Sequence, residues 1–461
     1  MTRGWLLWLL LLSLPASAHV GSPDVFFDGM AGPYPVLVVI RPPAVIPGTA
    51  QVEIRTTTPL HSAKFLPMPL TGPGSKFPPT ADAATPSPAD PNLYTGQLWM
   101  MDFGSWQVRI TLEGNQGTGT ISVPVPALAT QSKPMDRTLG FALFGVMTFL
   151  VIGLASIVEA AVRESTLQAG AASPSAFRPR SLILLLGTSL AVVGCLYLGG
   201  KWWGAEAGNY SRKLYKPLAM QASVTPDHQL TLRLSDPGWL QLRKLDDLEP
   251  DHGHLMHLYA IREPAMDAVF HLHPDQVHPG SFEMPLPAMP SGTYKLFGDI
   301  VHASGLGETP VGELQISSSQ GGPLTGDNAG GLLNVPEPDG SRMVWVRGRP
   351  PVRANEVQRF VFRLEDAAGK PLTDLEPYMG MAGHAAFVRK DFSTFAHIHP
   401  TGSAPMPALM LAGGMPGMHD MPAGAEVSFP YAFPAPGAYR VFVQLKRAGK
   451  VRTAGFDVDV Q

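Results

Sequence analysis

Apolar positions along this chain follow three rhythms. The first is alternation. In residues 51–57, Val52, Ile54 and Thr56 alternate with Gln51, Glu53 and Arg55. A period of two puts one set of side chains on one face of a strand. Residues 36–41 form a β-branched run bounded by prolines, and residues 96–103, 106–112 and 118–124 complete the strand-like series, with turn residues between them. Such a series predicts a β-sandwich. The Pro-, Ala-, Ser- and Thr-rich stretch 67–91 predicts a long exposed loop within it.

The second rhythm is an unbroken apolar run. Residues 5–14 follow a basic start and end in Pro15-Ala16-Ser17-Ala18, which predicts a signal peptide cleaved to leave His19 at the mature N-terminus. Residues 139–158 carry no charge, and residues 182–199 lead into Lys201-Trp202-Trp203. Runs of about 20 apolar residues span a bilayer, and tryptophans suit its interface. Arginines 163, 178 and 180 lie between the runs, but Lys133, Arg137, Lys201, Arg212 and Lys213 flank their outer ends. Loop charge therefore leaves orientation open, and the signal peptide sets it: both large segments lie outside the cytoplasm.

The third rhythm is a repeat. Leu248-Glu249-Pro250, Met256-His257-Leu258-Tyr259-Ala260-Ile261-Arg262 and Val269-Phe270-His271-Leu272-His273-Pro274 return as Leu375-Glu376-Pro377, Gly383-His384-Ala385-Ala386-Phe387-Val388-Arg389 and Phe395-Ala396-His397-Ile398-His399-Pro400. Each copy closes on a similar strand, residues 292–297 and 437–442. A matched pair signals duplication of one module.

The expected fold is mainly β: three immunoglobulin-like β-sandwich domains plus two transmembrane helices. The predicted layout is a signal peptide (1–18), an N-terminal sandwich (19–130), helices (137–160 and 181–201) around a cytoplasmic loop (161–180), a first His-x-His sandwich (217–318), a linker (319–334) and a second His-x-His sandwich (335–461). This places the chain in the cytoplasmic (inner) membrane with large periplasmic domains.

Composition narrows the chemistry. A net charge of -3 offers no basic face for nucleic acid. The one cysteine, Cys195, lies in an apolar run, which excludes an internal disulfide, a Cys-rich zinc site and a blue-copper centre. No nucleophile elbow, phosphate loop or HExxH motif occurs, so the chain is read as a non-enzyme. What remains is histidine. His271 and His273 share a strand face, as do His397 and His399, and a short hairpin folds His257 or His384 back beside its pair. Three imidazoles from two paired strands suit Cu(II) or Zn(II), with ring nitrogens about 3–4 Å apart. The first copy adds His252, His254 and His302, of which His302 is expected to close the site. The second has Met379 and Met381 instead, and a segment containing Met418, His419 and Met421 that reads as a Cu(I) capture loop. His19, with its amino group and ring, forms a third candidate with His61, to which Asp24 or Asp28 could add an oxygen.

The segment Trp99-Met100-Met101-Asp102-Phe103-Gly104-Ser105-Trp106-Gln107-Val108-Arg109-Ile110 resembles the YtkA-like and FixH-like periplasmic domains. An N-terminal His19 resembles the start of the copper-resistance protein C family, whose members bind Cu(II) through that residue. The tandem copies, across most of residues 220–461, look like secreted YtkA-like modules often found beside copper-handling genes. The resemblance implies immunoglobulin-like folds, copper rather than zinc, and copper-handling proteins as partners. No methionine-rich run lies near His19, and the apolar spans lack a four-histidine transport signature. The function this implies is extracytoplasmic copper binding or sequestration, with affinity falling below about pH 6 as the rings protonate. The alternative is a structural or interaction module with buried, satisfied histidines, favoured if His257, His271 and His273 point to different faces.

Overall fold

The computed structural model describes residues 24–76, 79–165, 167–172, 179–239, 243–317, 321–333, 339–347, 351–414 and 424–461. The expected signal peptide, His19, and the loop residues Met418, His419 and Met421 lie outside the described residues. The chain is mainly β and divides into two compact units, of which residues 129–215 form one.

That unit is helical. Helix Arg137–Glu164 is capped by Asp136, whose Oδ1 accepts from the Leu139 N–H at 2.9 Å. Helix Pro179–Lys213 runs past the expected end at residue 201, because nothing after Trp203 breaks it before Pro217. Among the described residues, these two helices are long and apolar enough to cross a membrane. Their side chains stay outward, with Phe141, Phe149, Leu186 and Leu190 all exposed.

The other unit holds the three β-regions. In the N-terminal region, Val25–Ala31, Tyr34–Arg41, Gly48–Arg55, Leu93–Met100 and the short Thr85–Pro86 form one sheet. Asp82–Ala83, Leu60–Pro69, Gly104–Gly114 and Gly117–Ala127 form another. The alternation read at 51–57 belongs to Gly48–Arg55, which buries Ala50, Val52 and Ile54. The sheets meet where Gly96 lies under Phe65; a Cβ there would sit 2.3 Å from the ring. The expected loop at 67–91 is largely exposed but contributes the two short strands at 82–83 and 85–86.

The first copy forms one 10-stranded sheet. Its heart is His257–Glu263, flanked by Ala268–Leu272 and Gly292–Val301. In the second copy His384–Arg389 lies between Phe395–Ile398 and Gly437–Arg447 in a 5-stranded sheet, with a separate 3-stranded sheet beside it. The stretch read as a linker is no free tether. Its Ala329–Leu332 pairs with the edge of Ala268–Leu272, with Ala329 opposite His271. Gly330 permits this: a Cβ there would meet the Val269 carbonyl oxygen at 2.4 Å.

The central strands are buried on both faces. Leu258, Ala260, Phe270 and Leu296 face the first copy's own core. Ala385, Phe387, Ile398 and Val441 do the same in the second. The opposite faces, Tyr259, Ile261, Val269 and Phe297 against Ala386, Val388, Phe395 and Phe442, form a shared core between the copies. Phe297 and Phe395 stack there at 4.4 Å and 7°. Two-sided burial explains why these strands read as continuous apolar runs rather than as alternation. His257 and Tyr259 share a face, as do His384 and Ala386, so both sets of histidines point into the interface between copies.

The N-terminal region docks on the second copy just beyond His399-Pro400. The Phe26 N–H donates to Ser403 Oγ and the Ser403 N–H to the Phe26 carbonyl, both at 3.0 Å. Gly402 sits flush there, where a Cβ would meet the Phe26 carbonyl oxygen at 2.0 Å. Asp28 is held by Arg359 at 2.6 and 2.9 Å, and Asp24 pairs with Arg41 at 3.3 Å. The carboxylates considered as partners of His19 are thus engaged in ion pairs.

Candidate metal centre

Each copy builds its site from a turn and a hairpin. The turns are Asp251-His252-Gly253-His254 and Tyr378-Met379-Gly380-Met381, each closed by a bridge between its end residues. Their central pairs take positive φ: 50° and 89° in the first, 50° and 76° in the second. The turn's first carbonyl then meets the next strand. Asp251 O accepts from His257 Nε2 at 2.9 Å, and Tyr378 O from His384 Nε2 at 3.2 Å. The hairpin returns the second histidine, leaving 3.0 Å between His257 Nδ1 and His271 Nε2 and 3.1 Å between His384 Nδ1 and His397 Nε2.

The far nitrogens of these second histidines reach across to the other copy. His271 Nδ1 meets Gln444 Oε1 at 2.8 Å, and His397 Nδ1 meets Asp299 Oδ2 at 3.2 Å. Asp299 lies opposite His257 in the first sheet and Gln444 opposite His384 in the second, so they are equivalent positions exchanged between copies.

These partners decide the tautomers. A neutral imidazole has one N–H and one bare lone pair. His257 and His384 give their Nε2–H to a carbonyl, so their Nδ1 is bare. His271 and His397 give their Nδ1–H to Gln444 and Asp299, so their Nε2 is bare. With both rings of each pair neutral, the 3.0 and 3.1 Å contacts bring two lone pairs face to face. A cation between them resolves the repulsion. Two nitrogens each about 2.0–2.1 Å from one ion lie about 3 Å apart at near right angles.

The third histidine of each set strengthens this. Both ring nitrogens of His273 and of His399 are buried with no hydrogen-bond partner. A buried polar group left so costs about 1–3 kcal/mol. One nitrogen from each of His257, His271 and His273 falls within 4.8 Å of the others, as does one from each of His384, His397 and His399. Asp251, His252 and His399 form a third such group, which joins the turn of the first copy to the second copy's site.

Five of the rings are held neutral. Burial, then neighbouring imidazoles, pushes His257, His271, His384 and His399 well below the ordinary histidine range. Burial, then His254, takes His273 down to about 3. Burial raises the Asp251 carboxyl to about 7 against the opposing pull of His397.

The sites expected from sequence fare differently. The two His plus His-x-His sets come together, and they do so with each other. His302 goes elsewhere. Its Nδ1 meets Asp247 at 2.7 Å and its Nε2 meets Glu308 at 2.9 Å, with Arg243 on Glu308's other oxygen at 2.8 Å. Burial alone would lower its pKa, but the bonds to Glu308 and Asp247 outweigh that and raise it. With both nitrogens donating to carboxylates, His302 has no lone pair for a metal. His61 is exposed at the start of Leu60–Pro69. Sequence reading passed over Asp251, Asp299, Gln444 and Asn328, whose Oδ1 accepts from the His273 N–H at 2.8 Å. It noticed His252 and His254 without placing them; His254 stacks on His273 at 4.0 Å.

Residues 209–311 and 337–461 match a family described as "Domain of unknown function (DUF8832)". No curated protein matches the chain. Among solved structures, the chain is similar to latent PorU from Porphyromonas gingivalis, at 10% identity and a TM-score of 0.15, over 95% of this chain and 34% of that one. It is also similar to native Escherichia coli alpha-2-macroglobulin, at 10% identity and a TM-score of 0.16, over 92% of this chain and 25% of that one. The chain thus spans about a third or less of these proteins, and likenesses this distant carry no functional argument.

Proposed function

We propose that this chain is an extracytoplasmic copper-binding protein, anchored in the cytoplasmic membrane by its two apolar helices, whose paired C-terminal domains each hold one copper ion in a shared, buried histidine cluster. The three β-regions are read as immunoglobulin-like sandwiches of the YtkA-like kind. The observation that carries the function is the pair of facing lone pairs, with outer nitrogens oriented by Asp251 O, Gln444, Tyr378 O and Asp299. Such outer-shell acceptors are what fix metal-ligating imidazoles. His257, His271 and His273 would hold one ion, and His384, His397 and His399 the other.

Imidazole suits both copper and zinc. Burial favours copper, because it is available as a monovalent ion and desolvation cost rises steeply with charge. Imidazole donors bring no negative charge, and burial raises the Asp251 carboxyl to about 7, which reduces its charge at neutral pH. Neutral rings also move the acid limit. With His273 at about 3, proton competition begins well below the pH of about 6 that unperturbed histidines imply.

The test is anaerobic Cu(I) titration of the detergent-solubilised full chain, since the N-terminal region packs on the second copy. Two tight ions per chain are expected, and one in His271→Ala/His273→Ala. Binding of Cu(I), Cu(II) and Zn(II) no tighter than that of the variant would overturn the proposal.

A further inference from the structure

A second group of soft donors lies next to the histidine cluster. A cavity of about 710 Å³ opens between the two turns and the short helix Met406–Leu411. Met379, Met381, Met406 and Met410 line it, together with His252. Met381 and Met406 are buried, while Met410 is 54% exposed, so the thioethers run from the surface inward.

His252 connects this cavity to the cluster. Its ring centroid lies 4.8 Å from that of His399, 5.4 Å from His384 and 6.1 Å from His257. It reaches there from a left-handed backbone, φ 50°, a conformation costly for a non-glycine residue and held here by the bridged turn between Asp251 and His254.

Methionine often fills gaps in cores. Here, though, the side chains border an open cavity rather than fill one, and they share it with a histidine of a group that could hold a metal ion. Thioether sulfur is a soft ligand that selects Cu(I) over divalent ions.

We infer that this cavity is a docking site for Cu(I), bound by the thioethers of Met379, Met381, Met406 and Met410 and passed through His252 to the buried histidines. The inference rests on the copper reading of the cluster. Transfer is ligand exchange: each Cu–S bond that breaks is replaced by a Cu–N bond, first at His252 and then at His399. The ion remains Cu(I), and no electron moves.

The test uses the detergent-solubilised full chain loaded anaerobically with Cu(I) beyond saturation of the histidine sites. X-ray absorption should show both nitrogen and sulfur around copper. Met379→Leu/Met410→Leu changes the two more accessible thioethers with little change of volume. In that variant the sulfur contribution should fall and the nitrogen contribution persist. Stopped-flow loading from a Cu(I)–acetonitrile complex should slow by at least about tenfold, while equilibrium affinity at the histidines moves by less than about threefold. His252→Gln, which leaves the thioethers intact, should keep the sulfur contribution and slow loading similarly. An unchanged sulfur contribution and loading rate in Met379→Leu/Met410→Leu would overturn the docking site. Unchanged loading in His252→Gln would overturn the route. A wild-type chain with no copper–nitrogen contribution would instead overturn the reading of the cluster, whatever the sulfur shows.

Discussion

The two C-terminal copies share a scaffold but not a ligand environment. Both place a turn with two positive φ values ahead of the first histidine and return a His-x-His pair beside it. Yet the first copy fills its turn with His252 and His254, and the second with Met379 and Met381. The residue that orients the second histidine is a carboxylate in one case and an amide in the other, and each comes from the opposite copy. Neither histidine set is therefore complete within its own domain. Each copy thus lends the other a supporting group, which predicts an obligate pair whose two sites differ in their surroundings.

The largest expected effect concerns the pairing itself. Phe395 of the second copy stacks on Phe297 of the first and is 1% exposed. Phe395→Ala should cost about 3–5 kcal/mol of stability, the usual range for a buried phenylalanine. Chemical denaturation followed by tryptophan fluorescence measures it. If the copies folded and bound metal independently, metal affinity would survive this substitution unchanged; as an obligate pair, they should lose both sites' affinity together.

Next comes the exchanged pair of supporting residues. Asp299→Asn should weaken the second copy's site by roughly 10- to 100-fold, the range seen when an outer-shell partner is altered. Gln444→Glu should strengthen the first copy's site, by giving His271 the charged acceptor that His397 already has. Competitive Cu(I) titration resolves the two sites. Equal effects of Asp299→Asn on both sites would show one merged centre rather than two.

The exchange also marks how far sequence could go. The His-x-His pairs were legible because a period of two and an internal repeat are local patterns, and the hairpin partners lie only 14 and 13 residues apart. The supporting contacts span 173 and 98 residues and depend on how two sheets pack, which no local pattern encodes. The largely apolar central strands carry a trace of the second buried face, which the sequence reading did not use. His302 misled because it follows directly on the strand bearing Asp299, but the chain turns there and hands the ring to Asp247 and Glu308. Residues 319–334 misled because glycine suggests a flexible tether, whereas Gly330 serves close approach to the histidine-bearing strand.

Protonation separates the ligand histidines from His302 with opposite signs. In the metal-free chain His257, His271, His273, His384 and His399 have folded pKa values below the unfolded value of about 6.5. As pH falls below that value the unfolded chain takes up protons first, so their contribution is present above about 6.5 and is lost toward the folded value, about 3 for His273. His302 is raised, so its contribution is full below about 6.5 and is lost as pH rises through the raised value. Scanning calorimetry of metal-free protein should show Tm falling from pH 7 to pH 4, with copper flattening the fall. The Tm deficit of His302→Gln should be greater at pH 5.5 than at pH 8.5. A deficit that instead grows with pH would place His302 among the depressed rings.

The smallest effect bears on whether the two turns are one design. Gly253 and Gly380 have φ of 89° and 76°, and no atom lies within 4 Å of a Cβ built on either. Alanine at either position therefore meets no neighbour, and its cost is backbone strain alone, about 1–2 kcal/mol. Equal losses in Gly253→Ala and Gly380→Ala, read as Tm shifts on metal-free protein, are expected if the turns are equivalent. Their consequences for copper should still diverge. Gly253 sits between His252 and His254, so strain there displaces a residue beside the second copy's own ligand, His399. Gly380 sits between two thioethers whose flexible stems absorb a small shift. Equal strain with unequal loading rates would thus separate the shared scaffold from the chemistry placed on it.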